Sequence, residues 1–262
     1  MFLSEKQIKD YQNDGVIIVK DIFKVWIESL RKGFQKVLDN PSIHGRENVE
    51  KNQGRFFEDY CNWERIEEFK DCIFNSPGAQ IVAEATNSKS SQIFHEHIFI
   101  KESGTNKETP WHQDMPYYCV DGNDTGSFWI PLDEVDKENN LKLILGSHKW
   151  QKLIRPTKWS TNQSWYKDDT SFMDLPSSEE YKKNILIPEL SLGDAVLFNF
   201  KTVHGSNGNN TSKSRRAFSM RFIGDDIKYI DRGGPTSPPF EDINLKTGDI
   251  MREDWFPRVF NN

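Results

Sequence analysis

The chain has 262 residues, enough to bury a full core as one domain. Its 34 Lys and Arg against 40 Asp and Glu leave a formal net charge of −6, and the basic residues are scattered, which argues against nucleic acid or an anionic membrane as partner. Aromatic residues reach 13% against 35% hydrophobic overall, a balance that suits many short, aromatic-rich strands.

The chain opens on Leu3 to Tyr11 with a helix signature: Ser4 as cap and Gln7 three residues on complete a capping box. Asp14-Gly15 turns the chain into Val16-Ile17-Ile18-Val19, a buried strand. Phe23, Ile27, Leu30, Phe34, Val37 and Leu38 repeat with helical period. Pro41 to Gly54 is polar and reads as a loop. Further helices are predicted over Trp63 to Asn75 and Ala79 to Thr86, separated by Ser76-Pro77-Gly78. Helices first and strands afterwards suit a β core flanked by helices.

From Gln92 the pattern alternates. His95, His97, Phe99 and Lys101 share one strand face, an unusual load for a face that should look inward, and they are expected to form a polar wall of a cavity. After the polar loop Glu102 to Pro110 comes Trp111-His112-Gln113-Asp114-Met115-Pro116-Tyr117-Tyr118. On a strand, His112 and Asp114 would point the same way and could grip one metal ion. Ser127 to Leu132 is a further strand, and Trp129 on it reads equally well as core. Residues 152 to 184 change character, with Trp159, Trp165 and Tyr166 among polar residues and little period; such loops often act as lids. Ala195 to Phe200 and Arg215 to Phe222 read as a hairpin, with His204 at its mouth. The tail from Asp231 is irregular and is expected to wrap the core. His112, Asp114 and His204 together make the two-histidine, one-carboxylate facial set of non-heme Fe(II) oxygenases.

These motifs carry a resemblance. His112-x-Asp114, Asn139 to His148, His204-Gly205-Ser206 and Asn209, Thr211 and Arg215 resemble the phytanoyl-CoA dioxygenase family of Fe(II)/2-oxoglutarate-dependent oxygenases, over about Leu3 to Asp226. The chain departs from the family pattern at Asn140 and Leu145, where Gly and Pro are usual. The resemblance implies that Arg215 holds the far carboxylate of 2-oxoglutarate, with Ser206 as a second donor and Trp129 and His97 beside it. An arginine fork suits a carboxylate. Tyr117, Tyr118, His95, Lys101 and Arg221 are expected at the substrate, Arg221 because it shares Arg215's strand face; a structural ion pair is the other reading of Arg221.

The expectation is one mainly β domain over residues 1–262 with a double-stranded β-helix (jelly-roll, cupin-like) core. Its helical part covers about 1–90, the core about 91–230, a lid-like insertion about 152–184 and a wrapping tail 231–262. The expected reaction is hydroxylation of a C–H bond in a small organic metabolite, with Fe(II) as metal, 2-oxoglutarate and O₂ as cosubstrates, and succinate and CO₂ released. A zinc hydrolase using Glu96 or Glu102 as base, or a non-enzymatic jelly-roll binding protein, remains open. Three unpaired cysteines without a Cys-x-x-Cys, and no signal-like or membrane-spanning apolar run, lead to the expectation of a cytoplasmic monomer or small homo-oligomer.

Overall fold

A computed structural model describes residues 1–48, 53–158, 163–166 and 169–262. Helix α1 (Glu5–Asp14) starts at the Ser4/Gln7 capping box and ends at Gly15, whose left-handed φ of 71° admits glycine without strain. A Cβ there would also sit 2.4 Å from the His148 ring. Strand β1 (Val16–Val19) follows. Helix α2 (Ile27–Asp39) is preceded by a 3₁₀ turn at Lys24–Trp26, so the predicted helix from Phe23 begins four residues late. The stretch read as polar loop instead holds β2 (Arg46–Asn48), which pairs with the unpredicted β3 (Phe56–Tyr60). Helix α3 (Glu67–Asn75) starts later than expected because Asn62 and Trp63 are tied by their backbone N–H groups to the Glu96 carboxyl. Helix α4 (Gly78–Thr86) is where it was predicted.

The strands then come in order: β4 (Ser90–Lys101), β5 (Thr109–His112), β6 (Val120–Asp121), β7 (Thr125–Pro131) and β8 (Leu141–Ile144). A short α5 (Ser178–Tyr181) precedes β9 (Ile185–Leu186), β10 (Ala195–Phe198), β11 (His204–Ser206), β12 (Arg215–Ile223), β13 (Lys228–Tyr229) and β14 (Arg258–Asn261). The large antiparallel sheet runs β1-β10-β7-β12-β4-β3-β2, with β14 added beside β4; the small one runs β5-β11-β8-β9. The β10–β12 hairpin expected from sequence does not form. Strand β7 lies between the two, and His204 sits on its own strand in the other sheet. Chain order misled because a jelly-roll pairs strands distant in sequence. The tail is not wholly irregular either, since it supplies β14.

Alternation on the central strands divides the molecule. Phe218, Met220 and Phe222 of β12, with Ile98 and Ile100 of β4 and Phe128 and Ile130 of β7, face the helices and pack on Leu30, Phe34, Phe69 and Val82. Burying each such side chain contributes about 1.5–3 kcal/mol. The opposite face, toward the small sheet, carries Arg215, Ala217, Ser219 and Arg221. Two facing antiparallel sheets with helices behind the larger one make a double-stranded β-helix, and the space between them is the cavity.

Candidate active site

His112 ends β5 and is paired across to His204 on β11. Asp114 is not on a strand: its φ of −70° and ψ of −44° are helical, and it begins the 3₁₀ turn Met115–Tyr117. The turn still brings its carboxylate back to the histidines. Oδ1 lies 3.7 Å from His112 Nε2 and 3.8 Å from His204 Nε2, and all three side chains are buried. The ligand atoms fall within 4.8 Å of one another. Gly205, between His204 and Ser206, lets β11 lie against β5; a Cβ there would come within 2.9 Å of the Thr109 carbonyl.

The donor set suits a divalent metal. His112 Nδ1 is 2.8 Å from Pro110 O and His204 Nδ1 is 3.0 Å from Thr202 O. A carbonyl only accepts, so each Nδ1 carries the proton and each Nε2 presents a lone pair. Burial, then the neighbouring His112, pushes His204 down to about 3, which keeps it neutral and able to ligate. Burial alone would raise Asp114, yet Arg221 and the two imidazoles outweigh it and hold the carboxyl well below its usual range. Two imidazoles and one carboxylate on one side of a site is the facial pattern of non-heme iron.

Arg221 places Nε 3.2 Å from Asp114 Oδ2. The two carboxylate oxygens are therefore divided: the outer one faces Arg221 and the inner one faces the histidines. Of the two readings open for Arg221, the ion pair is present, and its side chain also lines the cavity. Tyr118, pushed well above its usual value by burial, packs edge-on against His95.

At the other end, Arg215 is buried and reaches the Asn139 carbonyl with Nη1, while its Nε has no hydrogen-bond partner. Burial lowers it to about 10, so it stays cationic at neutral pH. The Trp129 ring lies 5.8 Å from its guanidinium. Lys101, directly opposite Arg215 in the register, donates to Ser206 Oγ at 3.1 Å and Asn207 O at 2.8 Å. It was expected at the substrate, but its ammonium is spent beside Arg215 and Ser206 rather than on the cavity surface. Arg216 turns to the other face and pairs with Asp133 at 2.6 Å.

The cavity holds about 480 Å³. His95, His97, Tyr117, Tyr118, Trp129 and Ser206 line it with the triad, Arg215 and Arg221. The Tyr117 hydroxyl donates to Thr157 O at 2.9 Å and accepts from Thr157 N at 3.0 Å, and its ring meets Trp165 edge-on at 5.1 Å. Thr157, Lys158 and Trp165 of the 152–184 segment thus form part of the wall; Trp159 lies outside the described residues. The sequence reading missed Arg46, Glu58, Tyr60 and Pro235 to Ser237, which also line the cavity. The alternation of Phe56, Glu58 and Tyr60 was the available signal for β3, hidden behind a polar loop. Glu96 and Glu102, the bases a zinc hydrolase would need, are placed elsewhere: Glu96 binds the backbone of Asn62 and Trp63, and Glu102 pairs with Arg55.

Comparison with known proteins accords with this geometry. The family model described as phytanoyl-CoA dioxygenase (PhyH) matches residues 11–217. The peroxisomal phytanoyl-CoA dioxygenase of Rattus norvegicus is 24% identical over 88% of this chain and 72% of its own length. The phytanoyl-CoA dioxygenase domain-containing protein 1 homolog of Dictyostelium discoideum is 23% identical over 88% of this chain and 94% of its own length. Among solved structures, the non-heme alpha ketoglutarate dependent carbocyclase SnoK from nogalamycin biosynthesis superposes with a TM-score of 0.76 at 17% identity, covering 98% of this chain and 96% of that one. EctD from S. alaskensis with 2-oxoglutarate and 5-hydroxyectoine gives 0.65 at 18% identity, covering 89% and 81%. The chain belongs to the phytanoyl-CoA dioxygenase family and is a 2-oxoglutarate-dependent dioxygenase.

Proposed function

We propose that this dioxygenase hydroxylates a C–H bond of a small organic molecule, with 2-oxoglutarate converted to succinate and CO₂. The observation that carries the reading is the pairing of a His112/Asp114/His204 metal set with a buried, carboxylate-free arginine, Arg215, at the other end of one cavity. In this reading His112, Asp114 and His204 hold Fe(II), which supplies the oxidising chemistry when bound with 2-oxoglutarate and O₂. Arg215 takes the far carboxylate of 2-oxoglutarate, with the Ser206 hydroxyl and the Lys101 ammonium beside it and Trp129 packing under the guanidinium. Lys101 thus moves from the substrate to the cosubstrate end. Tyr117, Tyr118, His95 and His97 line the space left for substrate and exclude bulk water from the metal. We assign residues 1–262 to one such domain, with the 152–184 segment covering the substrate. Solved structures of similar fold described in complex with Fe³⁺ and alpha ketoglutarate, or with 2-oxoglutarate, support the cofactor assignment.

A small substrate fits a cavity of about 480 Å³ better than an acyl-CoA does, and a net charge of −6 does not favour the anionic CoA tail. No described helix is long and apolar enough to cross a membrane. Three free thiols accord with a reducing compartment such as the cytoplasm. The test is anaerobic addition of Fe(II) and 2-oxoglutarate, which should produce the weak visible charge-transfer absorption of the chelate, followed by 2-oxoglutarate turnover against a metabolite library. Folded protein that gives no band would overturn the reading.

A further inference from the structure

The inward residues of β2, β3 and β4 form rows across the sheet. Arg46 lies opposite Glu58, which lies opposite Phe99; Tyr60 lies opposite His97. Glu58 stands in the middle of this wall and lines the cavity, with its side chain only 9% exposed. A carboxylate taken out of water is costly unless a cation or several hydrogen bonds meet it. Among the described residues no lysine or arginine nitrogen comes within 4.0 Å of it, and the Lys101 charge reaches it only at longer range. Among the described residues the one group near its oxygens is His97 Nε2, at 3.5 Å, and that nitrogen makes no hydrogen bond. Burial lowers His97 below the ordinary imidazole range even against the pull of Glu58, so the ring is neutral at pH 7.

Among the described residues no lysine or arginine forms an ion pair with Glu58. Arg46 turns to the Tyr60 hydroxyl at 3.5 Å, its guanidinium 6.0 Å from that ring. Lys101 is held by Ser206 and Asn207, Arg215 reaches Asn139, and Arg221 holds Asp114. Around Glu58 stand aromatic rings instead: Tyr60 lies 5.2 Å from His97, and His97 lies 4.0 Å from Phe99. A carboxylate framed by aromatic faces is the chemistry that receives an ammonium group. The cosubstrate, a dianion, has no use for such a wall.

Resting on the oxygenase reading above, we infer that the substrate carries a cationic nitrogen, an amine protonated at neutral pH, that docks on Glu58 beside the Tyr60 and Phe99 rings. The ammonium supplies the counter-charge that the fold withholds, and the carbon skeleton is then oriented from that anchor toward the metal ligands.

The test uses the full chain loaded with Fe(II) and 2-oxoglutarate without oxygen. The visible band is recorded first. A panel of small primary and secondary alkyl and aralkyl amines, each with its neutral N-acetyl counterpart, is then titrated by calorimetry, and succinate release is followed in air. At least one amine should bind and raise succinate release above the substrate-free rate, with its N-acetyl form about tenfold weaker or worse. Glu58→Gln, nearly the same size, should weaken that amine by about ten- to a hundredfold and leave the band intact. Glu58→Lys should reject amines outright while keeping the band. The inference is overturned if no amine binds, if only neutral or anionic members bind, or if Glu58→Gln holds the amine as tightly as the native protein. The native comparison of amine and N-acetyl form decides the matter even if a variant fails to fold. Absence of the band in the native protein would instead sink the oxygenase reading, so the two failures are distinguishable.

Discussion

The two ends of the cavity spend their charges differently. At the metal end every charged group has a defined neighbour: Asp114 faces two imidazoles on one oxygen and Arg221 on the other. On the wall of β2 and β3, Glu58 has a neutral imidazole and aromatic rings around it. The first arrangement pairs its carboxylate within the chain. The second holds a carboxylate that no lysine or arginine among the described residues meets within 4.0 Å. Machinery common to a reaction class can be satisfied internally; a surface that selects one substrate cannot, because its missing half is the substrate.

Breaking the metal end gives the largest effect. His112→Ala leaves two protein ligands, and anaerobic Fe(II) affinity should fall by more than about a hundredfold, since even outer partners of ligands cost ten- to a hundredfold; stoichiometric Fe(II) retained in the variant would count against the site. Next comes Arg215. Arg215→Lys keeps the charge and loses the fork, raising the apparent KM for 2-oxoglutarate by about ten- to a hundredfold. Arg215→Ala should be worse, with iron affinity unchanged in both. Arg216→Ala is the control, because its guanidinium pairs with Asp133 on the opposite face.

Arg221→Gln tests the division of the Asp114 oxygens. Metal affinity should drop by about tenfold while the KM for 2-oxoglutarate stays put. If the KM moves and metal affinity does not, Arg221 belongs to the cosubstrate and not to Asp114. Tyr117→Phe removes both hydrogen bonds to Thr157 and should uncouple 2-oxoglutarate consumption from product by a few-fold, without changing cosubstrate affinity. Unchanged coupling would separate the Thr157 and Trp165 part of the wall from catalysis.

The smallest effect on the site comes from the outward face of β4. Burial pushes Glu96 up to about 7, against the hydrogen bonds from Asn62 and Trp63. A carboxyl whose folded pKa lies above its unfolded value contributes stability that is fully present below about pH 4.5 and is lost as pH rises through 7. Relative to Glu96→Gln, the native protein should therefore lose stability between pH 5 and 8, by up to about 3 kcal/mol in chemical denaturation. A pH-independent difference would show that the two backbone N–H groups keep Glu96 ionised.

The inward set of β12 could be read in advance because alternation needs no partner: Arg215, Ala217, Ser219 and Arg221 share a face in sequence and in space. The candidate metal set of His112, Asp114 and His204 was legible for a different reason, namely that the donor chemistry restricts the residue types. An ion pair was one of the two readings open for Arg221, but its partner was not legible, because Asp114 lies 107 residues away and only the fold brings them together. The same holds for β3, whose strand pairing with β4 turns a short aromatic run into the cavity wall. The β10–β12 hairpin failed because proximity in sequence was taken for proximity in the sheet, and β7 came between them.

Gln113, between the two residues of the His112-x-Asp114 pair, has a consequence for how the 152–184 segment is held. Its side chain accepts from Ile154 N at 2.7 Å and donates to Lys201 O at 2.5 Å. One amide thus clamps the root of the 152–184 segment to the loop that leads into His204. With Tyr117 gripping Thr157, the segment is pinned twice on the residues flanking the metal ligands. Ile154 and Thr157 are thereby held in register with the residues around His112 and Asp114. A change at Ile154 or Thr157 is therefore felt at the candidate metal set through two side chains of one short turn.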